Sequence, residues 1–407
     1  MPDRFYLKII GGVYSLHSPS KITTMVVATL INLLIIGLFS QQSVVTALPT
    51  LTPISINTIV PSQLQNMSTA FFTPIPSNRT LIVTKLTDTN DGSCDAQDCS
   101  LREAVTQADW GTTIKFAETL KGTIALDKEI HIRVSISIVG NGTHSTDLTI
   151  EGQNKNKTSM FWIEGDNLPG LSVSLTNITL ANGTSISGGA IINEKGIMFL
   201  NDCTFRNNAA TVGGVITNNF GKVIIANSTF IHNNASYGAV IVNNSGEVSI
   251  INSTFYENGD SSIANTAGTI KIVNSTFQNK DAEVIENLGG LANSKNTVSI
   301  KNSVIVANTK TSYLCKGPVT DNGGDLQFPT KDCGATIPVK DPKLGSLFDD
   351  GSFTEKINLE PESPAINGTM CDSENLLALL KTPQADQLTT PFPCNIGAYQ
   401  VKGTFGN

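Results

Sequence analysis

The chain has 407 residues, 40% of them hydrophobic and 15% charged, with a net charge of −7. That acidity excludes a nucleic-acid binder, which needs a basic face to displace counterions. Asn is the unusual count, 38 in all with 23 between Asn177 and Asn308, and a stretch so rich in Asn and so poor in charge is unlike a long helix or coiled coil.

The chain opens on a targeting segment. Val26 to Leu38 form an apolar run, with Lys21 before it and a small-residue cleavage site at Val45-Thr46-Ala47. The run is shorter than the about 20 residues that a spanning helix needs. A secretory signal over residues 1–47, cleaved after Ala47, is expected; the long leader ahead of Met25 keeps a retained membrane anchor as the alternative. Residues 48–80 carry Pro49, Pro53, Pro61, Pro74 and Pro76 among Thr and Ser, which blocks both helix and central strand. A disordered linker is expected there.

Residues 81–111 read as an N-terminal cap. Ser100 and Glu103 have the spacing of a capping box at a helix start. Leu101, Ala104, Val105 and Ala108 then share one helical face, suited to cover the open end of a core. Just upstream, Asp88, Asn90, Asp91, Asp95 and Asp98 crowd together, but not in EF-hand order. An Asp/Asn/Gly turn held by Cys94 and Cys99 is expected, with calcium as the alternative; no other cofactor or metal is expected.

Residues 112–310 carry the repeats. Ile114–Phe116, Thr123–Leu126, Ile130–Ile132, Ile136–Ile138, Leu148–Ile150 and Phe161–Ile163 are short apolar segments that predict irregular early coils. A regular pattern follows: Asn177-Ile-Thr-Leu180, Asp202-Cys-Thr-Phe205, Asn227-Ser-Thr-Phe230, Asn252-Ser-Thr-Phe255, Asn274-Ser-Thr-Phe277 and Asn302-Ser-Val-Ile305, at steps of 25, 25, 25, 22 and 28 residues. Gly188-Gly189, Gly213-Gly214 and Gly238 keep the same period, as does the lone Asn at 193, 218, 243, 265 and 287. Three features with one period indicate a solenoid. The segments between them, such as Val223–Ala226 and Ile270–Val273, are β-branched and too short for helices. Strands pairing in parallel with their equivalents one coil on, at about 4.8 Å, give a parallel β-helix. Roughly eight coils would make a rod of about 40 Å.

Equivalent residues then stack. Phe205, Phe230, Phe255 and Phe277 should form one interior column. The repeated Asn suits corners, where it tolerates left-handed backbone, and its amide can bond the amide of the next coil. Asn227, Asn252 and Asn274 also fit the glycosylation sequon, but their coil period makes turn chemistry the first explanation.

Residues 311–407 read as a C-terminal cap. Cys315 and Cys333 flank a Gly-rich loop, and Cys371 and Cys394 flank the last segment. Pairing within each couple, together with Cys94–Cys99, is the simplest connectivity and fits an oxidising compartment. Cys203 is left over in a slot that Ser fills in neighbouring repeats, so a buried free thiol is expected.

Thr87–Cys94 through Cys99-Ser-Leu-Arg-Glu-Ala104 resembles the CSLREA motif of bacterial secreted β-helix proteins. The Gly-Gly units and Phe205-Arg-Asn-Asn208, Phe230-Ile-His-Asn233 and Phe255-Tyr-Glu-Asn258 resemble the repeats of chlamydial polymorphic outer membrane proteins. Ser363-Pro-Ala-Ile366 and Cys394–Tyr399 resemble a choice-of-anchor C-terminal segment. The resemblance covers nearly all of 81–400. It implies a secreted or surface-displayed right-handed parallel β-helix, adhesin-like in some relatives. The sequence departs from that pattern in showing no outer-membrane barrel or sorting signal after residue 400.

Parallel β-helices also include pectin-degrading lyases and hydrolases, so polysaccharide cleavage is the rival function. A hydrolase needs carboxylates gathered on one face. Only ten charged residues fall between 171 and 280, about two per coil, among them Asp202 within the repeat motif. His232 reads as a solvated turn residue, and the adjacent pair Asp349-Asp350 lies outside the coils. The expectation is therefore a non-catalytic, monomeric, extracellular or cell-surface β-helix. It would bind glycans or proteins of another cell or matrix along a polar wall, with Tyr237 and Tyr256 as candidate contacts.

Overall fold

The computed structural model describes residues 6–9, 12–15, 79–152, 157–166, 168–259, 261–279, 283–289, 296–307, 313–349, 351–366, 368–371 and 392–398. The chain divides into two compact units, Met1–Met67 and Ser68–Asn407. In the first, Tyr6–Ile9 and Gly12–Ser15 pair antiparallel. The apolar run Val26–Leu38, the cleavage position after Ala47 and residues 48–78 of the linker lie outside the described residues. Among the described residues no helix is long and apolar enough to cross a membrane.

The second unit is the all-β parallel β-helix solenoid that the repeats predict. Parallel crossovers of this kind wind right-handed in nearly all proteins. One regular coil shows how the sequence makes it. Its strands are Ile197–Asn201, Thr204–Arg206, Ala209–Val212 and Ile216–Asn219. A residue at positive φ breaks the chain after each: Asp202 (53°), Asn207 (56°), Gly213 (63°) and Phe220 (56°). One coil later Asn227, His232, Gly238 and Ser245 take the same conformation. Corners recur because residues that tolerate left-handed backbone recur. At Gly214 the next coil comes so close that a Cβ would lie 2.1 Å from the Ala239 carbonyl oxygen.

Equivalent strands pair in parallel, with Ile197 against Lys222, Phe205 against Phe230, Ala209 against Asn234 and Ile216 against Ile241. The result is a sixteen-stranded, a nine-stranded and a three-stranded sheet. Register follows from alternating burial: in Ile191–Glu194, Ile191 and Asn193 point inward while Ile192 and Glu194 point out. A slip of one residue would exchange the two sets.

Inside, like sits over like. The rings of Phe205, Phe230, Phe255 and Phe277 stack at 4.9, 4.6 and 4.2 Å. Asn193, Asn218, Asn243, Asn265 and Asn287 form a buried amide ladder, each Nδ2 donating to the next Oδ1 at 2.8, 2.8, 2.9 and 3.1 Å. A second ladder joins Asn208, Asn233 and Asn258 at 3.1 and 3.0 Å. These bonds satisfy amides that would otherwise be costly to bury. The sequon residues belong to a further ladder, Asn252 donating to Asn227 at 2.7 Å.

A serine column runs beside them. The backbone N–H of Ser228 donates to Ser253 Oγ, that of Ser253 to Ser275 Oγ, and that of Ser275 to Ser303 Oγ. Cys203 heads this column as a buried free thiol, its backbone N–H donating to Ser228 Oγ at 3.2 Å, and burial pushes the thiol up to about 12. Asp325 ends the column by accepting the Ser303 N–H at 2.7 Å. Burial, with Asp321 beside it, pushes the Asp325 carboxyl up to about 8. Because the folded value lies above the ordinary 3.8, the folded chain binds the extra proton. The stability this contributes is complete below pH 3.8 and is lost as pH rises through about 8. Asp325→Asn is therefore expected to melt higher than wild type at pH 8.5, with the difference shrinking as pH falls toward 4. Calorimetry across that range checks it; a lower melting temperature for the variant at pH 8.5 would contradict the assignment.

Both ends are covered. Helix Leu101–Thr106 carries the capping box, with Ser100 Oγ accepting the Glu103 N–H at 3.1 Å and Glu103 Oε2 accepting the Ser100 N–H at 2.7 Å. Leu101, Ala104 and Val105 are buried against the first coil. At the far end Ile337 joins the core beside the Cys315–Cys333 disulfide.

The parallel pairing extends beyond residues 112–310. Thr80–Val83 already pairs with Thr112–Phe116, and Cys315–Lys316, Thr320–Asp321 and Leu326–Phe328 add strands at the other end. Those terminal strands carry no repeat motif, so the period does not mark them. The later C-terminal segment does more than cap. Leu344–Phe348 and Lys356–Leu359 pair antiparallel, and Leu359, Ala365 and Ile396 bury Val304, Val306 and Leu326 in a second small core on the outside of the nine-stranded sheet.

Candidate functional site

The outward positions of one wall bring an aromatic pair and several charged side chains together. Ile130–Ile132 and Phe161–Glu164 pair in parallel, with His131 opposite Trp162. Burial alternates along both strands, so Phe161 and Ile163 enter the core while Trp162 and Glu164 face out. His131 and Trp162 lie 5.2 Å apart, ring centre to ring centre, tilted by 37°. The indole N–H is buried without an acceptor.

Charged groups surround this pair. His131 Nδ1 hydrogen-bonds Glu164 Oε1, and its Nε2 is 3.5 Å from Glu129 Oε2. Arg133 grips Glu164 with Nε at 2.6 Å and Nη2 at 3.1 Å. The two carboxyls are driven in opposite directions. Desolvation raises Glu129 above its usual range, with the Glu164 charge adding to it. The Arg133 hydrogen bond holds Glu164 below its range, with His131 helping. Opposed shifts are what an acid and a base would need. Cleavage of a glycosidic bond, however, requires the bond to lie between the two carboxyls. The imidazole of His131 fills that interval. What remains is an aromatic face rimmed by acceptors and one guanidinium, suited to the apolar face and hydroxyls of a sugar.

Nothing in the repeat motif marks these residues. They come from irregular coils, and only the parallel pairing joins His131 to Trp162 and Glu164. The available signal is the likeness of Ile130-His-Ile132 to Phe161-Trp-Ile163, each with a ring at its outward position.

The other candidates separate. Tyr237 ends a strand of the three-stranded sheet and Tyr256 a strand of the nine-stranded sheet, so they form no common platform. Both are partly buried rather than exposed. The Tyr237 hydroxyl is buried without a partner, and desolvation pushes it up to about 12. Tyr256 lies 6.0 Å from the His232 ring, and His232 Nε2 is 3.1 Å from Glu257.

The acidic residues near the N-terminal cap serve local structure. Asp88 binds Arg102 at 2.8 and 2.7 Å, Asp91 accepts the Ser93 N–H, Asp95 accepts those of Gln97 and Asp98, and Asp98 pairs with Lys85. Among the described residues no three His, Cys, Asp or Glu side chains are placed to share a metal. Cys94 and Cys99 are joined, whereas the side chains of Cys371 and Cys394 lie outside the described residues.

Asp350 is also outside them, but Asp349 lines a notch of about 160 Å³ where the returning C-terminal segment crosses the wall. Polar contacts bridge it: His144 Nε2 lies 3.4 Å from Asp349, and Arg206 forms an ion pair with Glu355 at 2.8 Å. The notch thus serves as a clasp. Asp202, on the nearby corner, is pushed up to about 6 by burial.

No family model matches the chain, and no curated protein matches it. Among solved structures, a pectate lyase, Pel9A, is similar over 80% of this chain and 97% of that one, with 12% identity and a TM-score of 0.38.

Proposed function

We propose that this protein is a secreted or surface-displayed, non-catalytic β-helix that binds glycans on the wall carrying Trp162, His131, Glu129 and Glu164. The observation that carries the proposal is the ring pair of His131 and Trp162, 5.2 Å apart and rimmed by Glu129 and the Arg133–Glu164 ion pair. An adhesin-like role on another cell or matrix accords with the CSLREA and repeat resemblance. An oxidising compartment accords with the Cys94–Cys99 and Cys315–Cys333 bridges.

Trp162→Ala tests it. Loss of a stacking aromatic should cost about 1.4 kcal/mol or more, a tenfold drop in affinity on a glycan array. The unfolding curve should change much less, because Trp162 is partly exposed. Unchanged glycan binding by the folded variant would reject the site.

The opposed shifts of Glu129 and Glu164 favour a second reading, cleavage of a glycosidic bond. Pectin, alginate and neutral polymers should be incubated with the pure protein. Release of reducing or unsaturated ends, abolished by Glu129→Gln, would establish this second reading in place of the first.

A further inference from the structure

We infer that the glycan held by this wall is a linear neutral polysaccharide lying along the long axis of the β-helix, contacted beyond Trp162 by Asn219, Asn244 and Phe220. The inference rests on the glycan-binding reading and adds a ligand class, a direction and further contact residues.

The direction comes from register. Glu164, Glu194, Asn219 and Asn244 are strict partners on successive coils and all face outward. Each step is about 4.8 Å, close to the length of one pyranose unit in an extended chain. A polymer laid along this column would meet an equivalent side chain at every sugar.

The column is already ordered. Asn219 Nδ2 donates to Glu194 Oε1 at 2.6 Å, Asn244 Nδ2 donates to Asn219 Oδ1 at 2.8 Å, and Thr266 Oγ1 donates to Asn244 Oδ1. An amide offers two N–H donors and two lone pairs. The ladder uses one of each on Asn219, leaving one of each for sugar hydroxyls. Side chains fixed by one another lose little freedom when a ligand arrives.

Phe220 stands beside this column at 62% exposure and φ 56°. Its counterparts on the coils before and after are Lys195 and Ser245, also at positive φ. Left-handed backbone is unfavourable for a bulky residue, and an exposed phenyl gains nothing from the core. A second stacking face next to Asn219 gives the phenyl a use.

The ligand class comes from charge. Along the wall Arg133 is paired with Glu164, Lys195 with Asp166 at 2.7 Å and Lys222 with Glu247 at 3.5 Å, while Glu129 faces His131 and Glu194 shares Lys195, so five carboxylates stand against three Arg or Lys side chains. A polyuronate would bring further carboxylates against them. A neutral chain brings only hydroxyls, which donate to carboxylates and both donate to and accept from amides.

The test uses the full chain, titrated with cello- and manno-oligosaccharides of increasing length and with oligogalacturonates of matched length. Affinity for a neutral series should rise until the ligand spans the four column positions and then level off. Oligogalacturonates should bind at least tenfold more weakly, with the gap narrowing as salt is raised. Phe220→Ala and Asn244→Ala should weaken long oligosaccharides about tenfold and spare the disaccharide, and Phe220→Ala should unfold like wild type.

Tighter binding of oligogalacturonates overturns the ligand class. Affinity independent of length, or Phe220→Ala silent while Trp162→Ala is not, overturns the axial path and leaves the Trp162 site standing. Absence of binding to every glycan overturns both this inference and the reading beneath it.

Discussion

Phe230→Ala should destabilise the solenoid by about 3–5 kcal/mol, among the largest losses available to a single substitution. Phe230 is fully buried, with Phe205 on one side at 4.9 Å and Phe255 on the other at 4.6 Å, and both rings nearly parallel to it, at 6° and 15°. Alanine removes the ring and leaves a cavity that two flat neighbours cannot close without tilting. A control lies within the same column. Phe277 has one ring partner, Phe255 at 4.2 Å, and its strand partner on the next coil is Ile305. Phe277→Ala should therefore cost less by about one stacking contribution, roughly 0.5–1.5 kcal/mol. Guanidinium unfolding, with hydrogen exchange to locate the loss, reads both. Coils interact chiefly with their neighbours, so the variant should open first around residues 205–255 instead of weakening uniformly. Equal costs for Phe230→Ala and Phe277→Ala would mean that the rings do not act as a stack.

Asn218→Leu should be nearly as damaging, for the opposite chemical reason. The side chain is fully buried, and leucine matches its branching and heavy-atom count with bulkier methyl groups, so a shape argument alone predicts a modest change. The ladder predicts otherwise. Asn218 Oδ1 accepts from Asn193, and its Nδ2 donates to Asn243 Oδ1 at 2.8 Å and to the Gly221 carbonyl at 3.0 Å. Leucine leaves a donor on one coil and an acceptor on another buried without partners. Each costs about 1–3 kcal/mol, a total of roughly 2–6 kcal/mol. Asn287→Leu, at the ladder's last position, breaks one amide contact and a bond to the Pro318 carbonyl, and should cost less. Thermal melts of the two variants decide the matter; a wild-type melt for Asn218→Leu would show that the ladder contributes nothing net.

These residues were legible before any coordinates because their environment repeats. A phenylalanine every 22 or 25 residues can only be a column once the strands pair in parallel, and the same holds for the lone Asn and the paired Gly. The Ser100 and Glu103 pair was legible because a capping box is local. The candidate site was not. Glu129, His131, Trp162 and Glu164 belong to coils of irregular length, and their convergence depends on register, which composition does not reveal. The fate of the outward threonines was equally hidden. Alternation places Thr204, Thr229 and Thr254 on the outside of their strands, yet all three are buried. What covers this flank comes from over a hundred residues downstream: Thr229 Oγ1 donates to the Glu355 carbonyl at 2.6 Å, and Thr354 Oγ1 to the Asn227 carbonyl at 2.9 Å.

That downstream segment also limits how the protein can change size. It is fastened at Ser145 through the Phe353 carbonyl, at Asn227 and Thr229, and again at Thr276 through the Ala398 N–H. Most repeat proteins grow or shrink by copying or deleting a unit. Duplicating one coil between Ser145 and Asn227 would pull those two anchors about 4.8 Å further apart, while Phe353 and Thr354, which hold them, are adjacent in the chain and would gain no length. Between these anchors the count of turns is thereby fixed. Inheritance should tolerate a swap of residues within a turn far more readily than the gain of a whole one.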